Sequence, residues 1–351
     1  MAITYKAGRR IQGTSTDFGT DGAGIAGVTG GWKELTRVTL GSTSVTMTTP
    51  TFTNKRYYKV LVHGIQSSGS VETGLGINGI NSGNPYASRL SVDGGTEQTG
   101  INLNYIADGW FSDPNEIISE INIANLAGKE KLIIGHTGGA NTAGAGTAPK
   151  RMEWVGKFAP SPDVDVSSIL ITGSGTFAVG SEIVVLGWDE DDTHTTNFWE
   201  ELASVSGDGT STTLSSGTIT AKKYLWVQAY SNATSQDSAF QFNNDTASNY
   251  STRWSDNGGA DSTSTSESRI DLTFGSPSFT NMFIINNSAN EKLCIHHQLD
   301  ASTAGATAPR RYERVSKWAN TSAQITEIDY INQSTSVNFP SGSILKVWGS
   351  N

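Results

Sequence analysis

One cysteine in 351 residues excludes an intrachain disulfide, so any core must hold without cross-links. That residue, Cys294, lies in the apolar run Leu293-Cys294-Ile295, and the expectation is a buried packing role. Charge is scarce as well. Charged residues make up 16%, and 33 acidic against 24 basic side chains leave a formal net charge of −9. A surface built to neutralise phosphates would be basic, so no nucleic-acid partner is expected. No run approaches the roughly 18 apolar residues of a membrane span. The opening Met1 to Lys6 lacks a basic start followed by an apolar core, so no export signal is read there, which fits release by lysis and a cytoplasmic protein alike. The composition is also poor in good helix formers, which excludes long helices as the main scaffold.

What is abundant is glycine, at 39 positions, together with Ser, Thr and Asn, the vocabulary of turns between short strands. The chain is also written twice. Glu130-Lys131-Leu132-Ile133-Ile134-Gly135-His136 recurs as Glu291-Lys292-Leu293-Cys294-Ile295-His296-His297, and the block Thr142 to Ala159 recurs as Thr303 to Ala319. Outlying matches keep the same order. Trp32 to Leu35 answers Trp199 to Leu202, Tyr86 to Arg89 answers Tyr250 to Arg253, Asp93-Gly94-Gly95 answers Asn257-Gly258-Gly259, and Phe177 to Gly187 answers Phe339 to Gly349. Ordered matches of this extent identify an internal duplication.

Within each copy the apolar runs are short, alternate with period two and end at Gly, Asn, Ser or Asp. Tyr57 to His63 and Tyr224 to Tyr230 are the plainest strands, and seven or eight per copy are expected. In Arg151 to Lys157 the alternation sends Arg151, Glu153 and Val155 one way and Met152 and Trp154 the other. The expected fold class is all-β: two tandem antiparallel β-sandwich, jelly-roll-like domains with an extended N-terminal arm. The arm is residues 1–30, the first repeat 31–188, an acidic linker 189–196 and the second repeat 197–351.

Candidate chemistry is sparse. His136, Arg151 and Glu153 recur as His297, Arg311 and Glu313, a set that in an enzyme would pair a base and an acid with an anion clamp. Retention in both copies fits a structural motif better, because both units need the same support. No catalytic residue is assigned. Asp189-Glu190-Asp191-Asp192 lacks the alternation and central glycine of a calcium loop, so no metal is assigned. Gly74-Leu75-Gly76-Ile77-Asn78-Gly79 matches a dinucleotide fingerprint in letters only, with no helix pattern after it, and no cofactor is expected. The Gly/Ala loops at Thr142 to Pro149 and Thr303 to Pro309 lack a phosphate-binding Lys. Tyr86, Trp110, Tyr250 and Trp254 sit among hydrogen-bonding residues and are candidate glycan contacts.

The second block of each copy, above all Pro309-Arg310-Arg311-Tyr312-Glu313-Arg314-Val315-Ser316-Lys317-Trp318-Ala319 and the ending Phe339 to Gly349, resembles repeats in virion structural proteins of marine tailed phages. In the first copy the block departs after Lys157, reading Phe158-Ala159-Pro160-Ser161-Pro162. The resemblance implies a virion location as a capsid decoration, head-fibre or tail-fibre component. It also implies docking to other virion proteins through the arm and a homo-oligomer such as a trimer. A carbohydrate-binding host-adhesion module is the alternative.

Overall fold

The computed structural model describes residues 31–351 apart from 70–71, 110–114, 190–191, 193–196, 234–236, 273–276, 303–304 and 335–336. The expected arm, most of the acidic linker and Trp110 therefore lie outside the described residues.

All regular structure among the described residues is β. Up to Trp188 the strands are β1 (Lys33–Thr39), β2 (Ser44–Thr48), β3 (Tyr57–Ser68), β4 (Thr73–Ile77), β5 (Tyr86–Val92), β6 (Gln98–Leu103), β7 (Ile106–Gly109), β8 (Glu116–Ala124), β9 (Lys131–Gly139), β10 (Lys150–Phe158), β11 (Ile169–Phe177) and β12 (Glu182–Trp188). From Glu200 they are β13 (Glu200–Ser206), β14 (Thr213–Ser215), β15 (Tyr224–Ser231), β16 (Ser238–Phe242), β17 (Tyr250–Asp256), β18 (Ser262–Glu267), β19 (Ile270–Leu272), β20 (Ser278–Ile285), β21 (Lys292–Asp300), β22 (Arg310–Trp318), β23 (Ile328–Asn332) and β24 (Ile344–Ser350). The expectation of seven or eight strands per copy is corrected to twelve.

All pairing is antiparallel. In the first half eight strands run β6-β5-β10-β9-β8-β3-β12-β1, and β2-β11-β4-β7 form a second ladder. The end of β11 pairs with β3 at Thr176 and Phe177, which joins all twelve strands into one nearly closed, barrel-like sheet. The second half keeps an eight-stranded sheet, β13-β24-β15-β20-β21-β22-β17-β18, and a four-stranded one, β14-β23-β16-β19. Each order is the first half's with twelve added to every strand number. No strand pair crosses between the halves among the described residues.

Each half has its own apolar interior. Tyr58, Val60, Ile121 and Trp154 from the larger ladder bury against Met47, Leu75, Ile169 and Phe177 from the smaller one. Val227, Met282, Cys294 and Trp318 meet Phe240, Phe242 and Tyr330 in the second. Cys294 is fully buried and burial pushes its thiol pKa up, in keeping with a packing role.

Residues of equal position have co-adapted. In the first half Trp154 lies across Gly135, where an added Cβ would sit 2.1 Å from the indole. In the second half the same cross-strand pair is Arg314 opposite His296. Arg314 is buried, donates to Gln298 at 2.8 Å and lies 5.3 Å over Trp254. An indole needs a glycine beneath it, whereas the slimmer guanidinium leaves room for an imidazole.

Tyr86 and Tyr250 are also internal. The Tyr86 hydroxyl accepts from the Ile77 amide at 2.8 Å and donates to the Ile80 carbonyl at 2.8 Å, while the Tyr250 hydroxyl accepts from the Phe242 amide at 3.0 Å. Both rings are inside the cores, which corrects the reading of these two as glycan contacts: they are placed by strand alternation to clamp a neighbouring backbone. Trp254 is half-buried and packs on the second core.

Candidate functional site

The outward face of each eight-stranded sheet carries the repeated polar motif, and the two faces meet. His136 on β9 and His297 on β21 lie ring to ring, centroids 4.6 Å apart. Arg151 on β10 reaches across to Asp261, with contacts of 2.5 and 3.1 Å, and also pairs with Glu153 on its own strand. Arg253 on β17 answers from the other side, 3.2 Å from Asp93 and donating to the Pro149 carbonyl at 2.7 Å. Arg311 stays exposed and pairs with Glu313 at 2.8 Å. Five of the six motif residues are thus gathered in the seam, and the sixth is left at its rim.

An apolar cluster continues the seam. Leu61, Ile118, Val184 and Leu186 of the first half bury against Tyr224, Ile285, Leu293 and Ile295 of the second, beneath Phe198 and Trp199. Glu182 accepts the Tyr224 hydroxyl at 2.7 Å and lies 3.0 Å from the Lys223 ammonium. The Gly/Ala loop at Thr142 to Pro149 is the seam's backbone clasp. Lys317 donates to the carbonyls of Ala140 (2.9 Å) and Thr142 (2.6 Å), and Ser266 donates its amide to Ala145 at 2.8 Å.

Beside the imidazoles the seam opens into a cleft of about 620 Å³. Trp32, Trp226 and Phe283 form an aromatic wall and Lys59, with Glu120, sits at its base. The Lys59 ammonium is 4.8 Å from the Phe283 ring centre, and burial pulls its pKa down to about 7. Burial, then the neighbouring His297 and Arg151 charges, hold His136 well below the ordinary imidazole value. Burial with Arg151 and Arg311 nearby lowers His297 to about 4. Glu153 moves the other way, to about 7, through burial and the Glu313 carboxyl beside it, with Arg151 opposing.

At neutral pH the cleft therefore presents two neutral imidazoles and a carboxyl pair able to hold a proton. Both ring nitrogens of His136 and one oxygen of Glu313 are buried without a hydrogen-bond partner. The arrangement can accept and donate hydrogen bonds to a polar guest. Among the described residues no carboxylate hydrogen-bonds the His136 ring. Among the described residues no group of three or more His, Cys, Asp or Glu is placed to hold a metal ion. In the acidic linker, Asp192 pairs with Lys55 and accepts the Asp189 amide at 2.8 Å. Gly74 and Gly76 belong to β4 and face Tyr105.

The sequence reading singled out the motif but missed Asp93, Asp261, Lys59, Trp32 and the aromatic wall. Asp93 carried a signal, since its turn repeats as Asn257. Asp261 carried none, because it and its counterpart Glu97 lie in unremarked polar stretches just before β18 and β6.

No protein-family model and no curated protein matches this chain. Among solved structures, one similar chain is a Pseudomonas aeruginosa FadL homologue, 8% identical over 86% of this chain and 91% of that one, with a TM-score of 0.09. A superposition at that level carries no argument.

Proposed function

We propose that this chain is a non-catalytic structural protein of a virion surface, a capsid decoration or fibre component built as two tandem jelly-roll-like β-sandwich units. The observation that carries the non-catalytic reading is the fate of the repeated motif. Arg151 is spent on Asp261 across the seam, and His136 lies against its own counterpart His297. Residues that would act on a reactant are instead engaged in holding two copies of one unit together. The virion placement rests on the resemblance of the repeat blocks, and on a polar β surface of a kind suited to display on a particle.

The test is recovery of the protein on purified particles with its copy number measured: hundreds of copies support capsid decoration, a few support the tail, and absence from intact particles overturns the reading. Deleting residues 1–30 is expected to abolish loading while the near-ultraviolet dichroism of the remainder persists. Undiminished loading would refute docking through the arm. A second reading, glycan adhesion, is favoured by the wall of Trp32, Trp226 and Phe283 beside hydrogen-bonding carboxyls. Loss of glycan-array binding in Trp32→Ala would promote it.

A further inference from the structure

The seam joins unlike faces of two like units. If it were two-fold, each contact would be repeated with the halves exchanged, and it is not. Gly138 abuts Val315, with an added Cβ only 2.6 Å from the valine, whereas the exchanged pair, Leu299 and Val155, is exposed on both sides. Arg151 binds Asp261, whereas the exchanged pair, Arg311 and Glu97, is exposed. The equivalences come from strand register: Glu97 and Asp261 each directly precede the residue opposite Leu90 and Trp254, and Val155 and Val315 hold the same place opposite β9 and β21.

A head-to-tail contact used once leaves one unsatisfied face at each end of the pair. On the second half Leu293, Ile295 and Val315 are 0%, 2% and 0% exposed, because the first half covers them. Their first-half counterparts Leu132, Ile134 and Val155 are 60%, 63% and 46% exposed. They line a shallow apolar groove of about 880 Å³ with Ile101 and Trp188. The second half carries, beside the seam, the counterpart of the covering face. Arg311 stands where Arg151 does, Leu299 where Gly138 does and Phe279 where Ile118 does, and the twin loop from Gly305 to Pro309 is exposed where Thr142 to Pro149 is docked.

We infer that the Leu132, Ile134 and Val155 face is a docking site for a second copy of this chain, bound head to tail by its Arg311 and Leu299 face. The two free faces complement each other in kind. Arg311 meets Glu97 as Arg151 meets Asp261, and Leu299 and Phe279 meet an apolar groove. Leucine in place of glycine at 299 sets the next contact wider at that point, with the side chain filling the added space. Repetition yields a closed ring or a chain, according to the rotation between successive units. The inference deepens the assembly reading by naming its face, yet it is tested on the isolated protein, so its failure leaves particle association undecided and the reverse holds too.

The experiment is native mass spectrometry and light scattering of the full chain up to about 100 µM, a range that reveals even a Kd of tens of micromolar. The expected result is an oligomer that is lost in Ile134→Glu and in Arg311→Glu and restored when Arg311→Glu is combined with Glu97→Arg. All three sites are exposed, and near-ultraviolet dichroism identical to the parent establishes that each variant is folded. A milder Ile134→Thr, expected to weaken the oligomer at least tenfold, serves if the glutamate disturbs β9. A monomeric parent overturns the inference, as does an oligomer indifferent to Ile134→Glu, and dissociation without charge-swap rescue overturns the head-to-tail pairing.

Discussion

His136 and His297 hold the same position in two copies of one sequence, and they lie against each other with ring centroids 4.6 Å apart. Two imidazoles in such contact are tolerated because both are neutral: burial and nearby guanidiniums lower both pKa values.

That pairing makes the seam sensitive to acid. His136, His296 and His297 all have folded pKa values below the ordinary 6.5, so the unfolded chain takes up protons first as pH falls. Stability is therefore lost as pH falls below about 6.5, more through the buried His136 and His296 than through His297, whose ring reaches solvent. Glu153, whose raised value of about 7 costs stability above about 4.5, acts oppositely, as do Glu116 and Asp329, raised by burial, while Glu182, held below its ordinary value, adds to the loss on the side of the imidazoles. The melting temperature is expected to fall from pH 7 to pH 4.5, and to fall less in His297→Gln. Equal drops in parent and variant would show that the imidazoles do not drive the loss.

Asp261→Asn removes the charge that faces Arg151 across the seam while keeping the side chain's size. A buried guanidinium that loses its closest cross-seam carboxylate, keeping Glu153 and the more distant Glu313, costs up to about 3 to 5 kcal/mol. Because each half keeps its own core, calorimetry is expected to resolve one transition into two in this variant. A single unshifted transition would deny the pair any role in joining the halves.

In the first half Gly135→Ala places a methyl group 2.1 Å from the Trp154 ring, an overpacking worth about 1 to 3 kcal/mol. The second half carries His296 with Arg314 at the same two places. The double change Gly135→His with Trp154→Arg is therefore expected to cost less in urea unfolding than the sum of the two single changes, and strict additivity would contradict direct contact between the positions.

These pairs mark how far the sequence could be read. The duplication was plain in the letters, and so were the strands that alternate, such as Arg151 to Lys157, because one face is apolar. β4 was not legible: its core face is only Leu75 and Ile77, and its other face carries Gly74 and Gly76, which leave space for Tyr105 instead of supplying apolar bulk. β6, from Gln98 to Leu103, is exposed and lacks an apolar stripe. Which residues form the motif could be read from repetition. That His136 meets His297, while Arg311 faces solvent, depends on how two units pack, and no spacing along one chain encodes that.

Tyr86 and Tyr250 close the account of the glycan candidates, since each hydroxyl holds a neighbouring strand's backbone inside a core. Removing the Tyr86 oxygen by Tyr86→Phe leaves the Ile77 amide without this acceptor and the Ile80 carbonyl without this donor. A buried polar group left unpaired costs about 1 to 3 kcal/mol, while the ring itself still fills its space. Tyr250→Phe is expected to act alike in the second half through the Phe242 amide. Denaturant midpoints should drop in both variants with unchanged slope, and any glycan binding by the protein should persist in each. Loss of binding with full stability would return these tyrosines to the surface role that their burial argues against.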